Sequence, residues 1–296
     1  MSDEGAPRFP FVAVVALASR ADELAYELMM LGAAGVDIQD DTTFVKGPGR
    51  GQVRLVASFA SVEEATRVAE ELRGEAELSI EVDELVGDGW RDAYKEHFKP
   101  FSLTDSLVVV PPWEDYAAKE GEKLLQLDPG RAFGTGLHAT TSLVAAQLEL
   151  RSDEVAGATV LDVGTGSGIL ALAALMLGAE RAVAVDNDPD VIEVALENAA
   201  RCGLADRVRI DTTPIEDVAG EFAFVLANIR AGVLMGMAEA LVARVAAEGW
   251  LVLSGVLASE EASVREGFEA AGVKHVATER RGEGDDGWVA IVMRAP

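Results

Sequence analysis

Val160-Leu161-Asp162-Val163-Gly164-Thr165-Gly166-Ser167-Gly168-Ile169 runs from an apolar strand pattern through three glycines into an apolar helical pattern. A buried strand that turns through glycine into a helix lets a ligand reach the backbone, because no Cβ stands in the way. Alone, such a loop fits a structural turn equally well. The following strand pattern ends at Asp186, 20 residues beyond Gly166, where a carboxylate can accept hydrogen bonds from both hydroxyls of a ribose. The pair fits a nucleoside cofactor, and the spacing narrows the choice. A dinucleotide fingerprint needs glycine three positions after Gly166, but Ile169 stands there and the third glycine comes at two, Gly168. No Gly-Lys-Ser or Gly-Lys-Thr follows, which disfavours a phosphate-gripping ATPase loop.

Downstream, apolar runs alternate with helical segments. Strands are expected near Thr159 to Val163, Arg181 to Val185, Val208 to Ile210, Phe222 to Leu226, Trp250 to Leu253, Val273 to Thr278 and Trp288 to Met293. Helices fall between most of them, so a largely parallel sheet covered on both faces is expected. The last two strands, joined only by Arg281-Gly282-Glu283-Gly284-Asp285-Asp286-Gly287, should form an antiparallel hairpin.

Upstream, Phe11 to Leu17 reads as a strand and Ala21 to Leu31 as an amphipathic helix with Leu24, Leu28 and Leu31 on one face. Val36 to Val45 reads as extended chain, and Gly47-Pro48-Gly49-Arg50-Gly51 forces a turn. A strand at Gln52 to Phe59 leads to Ser61 and Glu64, a capping box that opens a helix to Arg73, and a strand follows at Leu78 to Val82. The order βαββαβ predicts a small α+β, ferredoxin-like domain over residues 1–87. Residues 88–127 then read as a linker and junction helix. In it Trp90, Tyr94 and Phe98 recur every four residues as a packing stripe, and Pro100 should stop the helix. Residues 128–296 form the expected α/β domain.

Composition sets the outer bounds. With 296 residues, 49% apolar and 26% charged, the chain is a globular protein of about two domains rather than a disordered or collagen-like one. Phe11 to Ala18 is too short for a membrane span and follows an acidic rather than a basic start, so a cytoplasmic protein without membrane contact is expected. Cys202 is the only cysteine, which rules out an intrachain disulfide and a thiolate zinc cluster, and His97, His138 and His275 show no ligand spacing; no protein-held metal is expected. The net charge of −26 repels a phosphate backbone and argues against direct nucleic-acid binding. Residues 1–87 hold 17 acidic and 7 basic side chains, the more acidic part per residue. That charge reads either as a solvated surface or as a docking face for a cationic protein.

With Asp162 leading the glycines, the loop resembles motif I of the seven-strand S-adenosylmethionine-dependent methyltransferases, and Asp186 resembles their acidic ribose ligand. Two further stretches narrow the family: Asp128-Pro129-Gly130-Arg131-Ala132-Phe133-Gly134-Thr135-Gly136-Leu137-His138-Ala139-Thr140-Thr141-Ser142-Leu143, and Val225-Leu226-Ala227-Asn228-Ile229. Together with the aromatic linker, Leu253-Ser254-Gly255 and Gly287-Trp288, they resemble the PrmA family, methyltransferases of the large-subunit ribosomal protein numbered eleven. The likeness spans residues 90–296; the first 87 match in size and strand order only. Leu137 and Ala139 fill the two looser places of the family pattern.

The resemblance implies a Rossmann-like methyltransferase domain with S-adenosyl-L-methionine as cofactor. Thr141, Gly164, Gly166, Asp186 and Asn228 are its implied binding residues, and a basic ribosomal protein is its partner. Thr141 capping a helix and Asn228 merely ending a strand are the plainer alternatives. The motif Asn228-Ile229-Arg230 lacks the Asn-Pro-Pro-aromatic clamp of enzymes acting on planar nitrogens, so lysine or N-terminal amines fit better, with Asn228 positioning the amine. His138 either fastens its loop or receives the proton. Two other functions stay open: methylation of a lysine on another protein, and a non-catalytic ribosome assembly factor that retains the fold.

Overall fold

The computed structural model describes residues 8–33, 35–39, 47–49, 51–73, 78–86, 98–128, 139–282, 284 and 287–296. Residues 40–45 of the expected extended segment, Lys46, Arg50, the linker stripe at Trp90 and Tyr94, and Pro129 to His138 lie outside them, as do Glu283, Asp285 and Asp286. The chain divides into two compact units, residues 1–97 and 98–296.

The first unit runs β1 (Arg8–Leu17), α1 (Ala21–Met30), β2 (Gly35–Gln39), β3 (Gln52–Ser58), α2 (Val62–Leu72) and β4 (Ser79–Val86). The strands pair in the order β2-β3-β1-β4, every pair antiparallel. Period-two alternation puts Val12, Val14 and Ala16 of β1 beside Val53, Leu55 and Ala57 of β3 in one buried cluster. Leu24 and Leu28 of α1 and Ala65, Val68, Ala69 and Leu72 of α2 complete that cluster. Ser61 starts α2 as its residue type dictates, its Oγ accepting the Glu64 N–H at 3.2 Å. The outer side of α2 exposes Glu63, Glu64, Glu70 and Glu71, and β4 exposes Glu81 and Asp83.

The second unit begins with a three-stranded sheet over part of the segment that the sequence pattern leaves as a linker. Its strands are β5 (Phe101–Ser102), β6 (Leu107–Val110) and β7 (Lys123–Gln126), with β6 in the middle and fully buried. Strands this short, separated by Pro111-Pro112 and a polar run, carry too little alternation to be read. The turn between β5 and β6 is held by Glu149 of α3 (Ala139–Leu150), whose carboxylate accepts Thr104 Oγ1 at 2.7 Å, Asp105 N at 3.1 Å, Ser106 N at 2.9 Å and Ser106 Oγ. Burial works against ionising Glu149, yet the donors from Ser106 and Thr104 hold it below the usual carboxylate range.

The rest runs α4 (Ser152–Val155), β8 (Thr159–Val163), α5 (Ile169–Leu177), β9 (Arg181–Val185), α6 (Pro189–Arg201), β10 (Val208–Asp211) and β11 (Phe222–Asn228). It ends with α7 (Ala231–Gly236), α8 (Ala238–Val242), β12 (Val245–Leu257), α9 (Glu261–Ala270), β13 (Lys274–Arg281) and β14 (Trp288–Arg294). All seven expected strands form one mixed sheet, in the order β10-β9-β8-β11-β12-β14-β13. The first five are parallel, and β14 runs antiparallel to both β12 and β13. Strand β12 starts earlier than its apolar run, because Glu248 at φ +56° and Gly249 interrupt the pattern without ending the strand. Helix α5 is apolar all round because it is buried nearly throughout. Chain order reverses between β8 and β11, and such a switch point opens a crevice beyond the carboxyl ends of the strands. Among the described residues no helix is long and apolar enough to cross a membrane.

Candidate functional site

The crevice at the switch point is built on the Gly164–Gly168 loop. Gly164 N and Thr165 N both donate to Val185 O, at 2.9 and 3.1 Å, which folds the loop across the end of β9. Three side chains then each hold one loop residue. Thr165 Oγ1 donates to Asp162 Oδ2 at 2.7 Å, Gly166 N donates to Asp186 Oδ2 at 2.9 Å, and Ser167 O accepts Asn198 Nδ2 at 3.0 Å. A loop fixed by its own protein contacts pays little ordering cost when a ligand arrives. Gly164 has no substitute: its φ is +72°, and a Cβ would lie 2.9 Å from Ile229 Cγ2.

Asp186 sits at the crevice, half-buried, its second oxygen accepting Asp188 N at 3.1 Å. A carboxylate offers about four acceptor sites. The two backbone donors orient it and leave capacity for the two hydroxyls of a ribose.

Asp162 is the second acid that holds the loop. It is wholly buried, and Oδ2 also takes Ala171 N at 3.2 Å, while Oδ1 has no partner among the described residues. Burial pushes its carboxyl up to about 6, against the Thr165 and Ala171 hydrogen bonds, and Asp186 adds to the rise. No basic side chain among the described residues pairs with Asp162. An acid left short of counter-charge beside a glycine loop suits a ligand that carries positive charge.

On the far side of the crevice, Asn228 ends β11 and its Nδ2 donates to Thr141 Oγ1 at 3.4 Å. Thr141 is buried in the first turn of α3. Ile229, next in the chain, donates its N–H to Ser254 O at 3.1 Å and packs against Gly164, so the Asn228 pair and the glycine loop share one wall. The structure thus brings Thr141 and Asn228 together, and Gly164, Gly166 and Asp186 together, around one crevice. His138 lies outside the described residues.

A family described as "Ribosomal protein L11 methyltransferase (PrmA)" matches residues 11–296. The chain belongs to the PrmA family. A relative named ribosomal protein L11 methyltransferase from Sorangium cellulosum is 50% identical over 307 aligned positions, covering 98% of this chain and 97% of that one. One of the same name from Geotalea daltonii is 38% identical, covering 90% and 92%. The crystal structure of a ribosomal protein L11 methylase from Lactobacillus delbrueckii subsp. bulgaricus matches with a TM-score of 0.59 at 31% identity, over 67% of this chain and 100% of that one.

Within this PrmA fold, Asn198 is a site residue that no motif marks. Buried completely on α6, it donates Nδ2 to Asp128 O at 2.9 Å as well as to Ser167 O, and its Oδ1 accepts Asp128 N at 2.9 Å. It therefore ties the glycine loop to the chain entering the Pro129–His138 segment. The available signal was a polar residue on the inward side of an amphipathic helix, in register with Val191, Ala195 and Ala199.

Proposed function

We propose that the chain transfers methyl groups from S-adenosylmethionine to lysine or N-terminal amines of ribosomal protein L11. The observation that carries this is the meeting, in one crevice, of a preorganised glycine loop, the Asp186 carboxylate and the Asn228 amide. Asp186 and Gly166 would hold the nucleoside, Gly164 gives it room, and Thr141 with Asn228 would close the opposite side. When bound, S-adenosylmethionine supplies a methyl carbon made electrophilic by its sulfonium.

The protein's own task is to place an amine and keep it neutral. Asn228 commits Nδ2 to Thr141, which leaves Oδ1 to accept an N–H from the incoming nitrogen and aim its lone pair. A lysine of ordinary pKa, about 10.4, is almost wholly protonated at neutral pH, so partial desolvation at the crevice favours the reactive form.

The first unit reads as a ferredoxin-like recognition domain: its βαββαβ order and its β2-β3-β1-β4 sheet support that name, and its exposed acids suit a cationic ribosomal protein rather than a nucleic acid. Residues 1–87, 88–127 and 128–296 then serve as recognition domain, junction and methyltransferase domain, working in the cytoplasm where the ribosomal substrate is made. The decisive experiment is intact-mass analysis of L11 after incubation with enzyme and cofactor. Mass increments of one CH2 each, mapped to lysine or the N-terminus, are expected; an unchanged mass overturns the assignment.

Asp162 gives a pH-dependent expectation. Near pH 6 about half of the ligand-free molecules hold a proton on its carboxyl, and near pH 8 almost none do. A positively charged cofactor stabilises the carboxylate and lowers its pKa, so binding should release up to about half a proton near pH 6 and close to none near pH 8. Calorimetric titration in two buffers of different ionisation enthalpy reads this directly. Identical heats in both buffers near pH 6 would show that Asp162 does not sense the cofactor.

A further inference from the structure

Beyond Asn228 the chain passes between two glycines. Gly164 leaves no space for a Cβ against Ile229, and Gly255, at φ +78°, would place a Cβ 2.6 Å from Ile229 O. Ile229 is therefore the single-residue partition between the glycine loop and whatever lies past β12. What lies there is a cleft of about 430 Å³, within the range of about 300–1,000 Å³ usual for ligand sites. Its walls include Arg230, Val233, Gly255, Leu257, Glu260 and Trp288. Val233 is 54% exposed, an apolar side chain held open to solvent, and Trp288 and Leu257 are half-buried beside it. Glu260 is half-buried too. Its Oε2 accepts Leu257 N at 3.0 Å, and its other oxygen takes no bond among the described residues.

We infer that this cleft receives the aliphatic stem of the methyl-accepting lysine, with Glu260 holding a neighbouring cationic group of the same substrate segment. The inference rests on the methyltransferase reading above and adds the acceptor side of the site to it. Position gives the direction: β11 ends at Asn228 and β12 at Leu257, so the cleft opens at the same carboxyl edge of the sheet as Asn228, and a stem lying in it points along that edge toward the Asn228 amide. Its apolar wall of Val233, Leu257 and Trp288 offers the methylene stem a surface to lie against while the amine goes on to Asn228. Tryptophan also packs well along a methylene stem and attracts a cation over its face. Glu260 is assigned to a flanking cation for a physical reason: a carboxylate on the reacting nitrogen itself would favour the protonated, unreactive amine. Arg230 is exposed at the mouth of the cleft.

The test uses the full-length enzyme with L11 as substrate and two variants at half-buried or exposed positions, Glu260→Gln and Val233→Lys. Glutamine retains an oxygen for the Leu257 N–H while losing the charge, and lysine at 233 puts a cation where the substrate cation must pass. Each variant should raise KM for L11 roughly tenfold, the scale of one charge-assisted contact, with the S-adenosylmethionine Kd and the Tm unchanged. Unchanged KM values, with wild-type enzyme methylating L11 normally, overturn the cleft assignment and leave the methyltransferase reading standing. A shift of the cofactor Kd in parallel with KM also overturns it, because the residues then act through the glycine loop. Wild-type enzyme that transfers no methyl to L11 sinks the parent reading, and this inference with it.

Discussion

Replacing Asp186 by alanine is expected to weaken S-adenosylmethionine binding by roughly 1.5–3 kcal/mol for each charge-assisted hydrogen bond lost to the ribose, about ten- to a hundredfold per bond. The structure adds a second loss. Asp186 is also the acceptor for Gly166 N and Asp188 N, so alanine frees the middle of the glycine loop and the turn that leads into α6. The two effects act in the same direction, and the cofactor Kd should rise more than hydroxyl contacts alone would give. Asp186→Asn separates them. The asparagine keeps one oxygen for a backbone donor but turns an NH2 toward the other, so it should fall between wild type and alanine. Calorimetric titration measures both variants, and a Kd for Asp186→Ala equal to that of wild type would place the ribose elsewhere.

The parts of this site that could be read from the sequence are those in which chain order equals spatial order. The glycine loop and Asp186 lie on consecutive strand–loop–helix units, so a fixed spacing of 20 residues reports a contact that the folded chain makes at 2.9 Å. The parallel strands were equally legible, because strands buried on both faces are continuous apolar runs. Asn198 was not, since its partners lie 70 and 31 residues away and its role depends on two carbonyls that no side-chain pattern encodes. The same holds for the partition at Ile229, which exists only because Gly164, in the loop after β8, and Gly255, in β12, converge on it. Strands β5 to β7 escaped for the opposite reason: two to four residues each are too few for a period to show. Thr141 and Asn228 were visible only through family likeness, and their hydrogen bond spans 87 positions.

A chain beginning at Phe98, the first residue of the second unit, should hold S-adenosylmethionine as tightly as the full-length protein yet lose most methylation of intact L11. The expectation starts from two separate cores. Leu24, Leu55 and Val68 belong to one buried cluster, while Leu161, Val225 and Phe268 belong to another, so removing residues 1–97 takes away no member of the second. Every residue proposed to touch the cofactor lies beyond Phe98 as well. What the truncation removes is the acidic surface of α2 and β4, with Glu63, Glu64, Glu70, Glu71, Glu81 and Asp83 exposed. If that surface docks a cationic substrate, it acts as a second contact on a tether, and its loss should lower kcat/KM by about 100-fold, the scale at which linked contacts contribute. Rising salt should depress the full-length enzyme toward the truncated one, because exposed charges are screened beyond about 8 Å at physiological ionic strength. A folded truncated enzyme, checked by its cofactor Kd, that methylates intact L11 at the full rate would reduce the acidity of the first unit to a solubility feature.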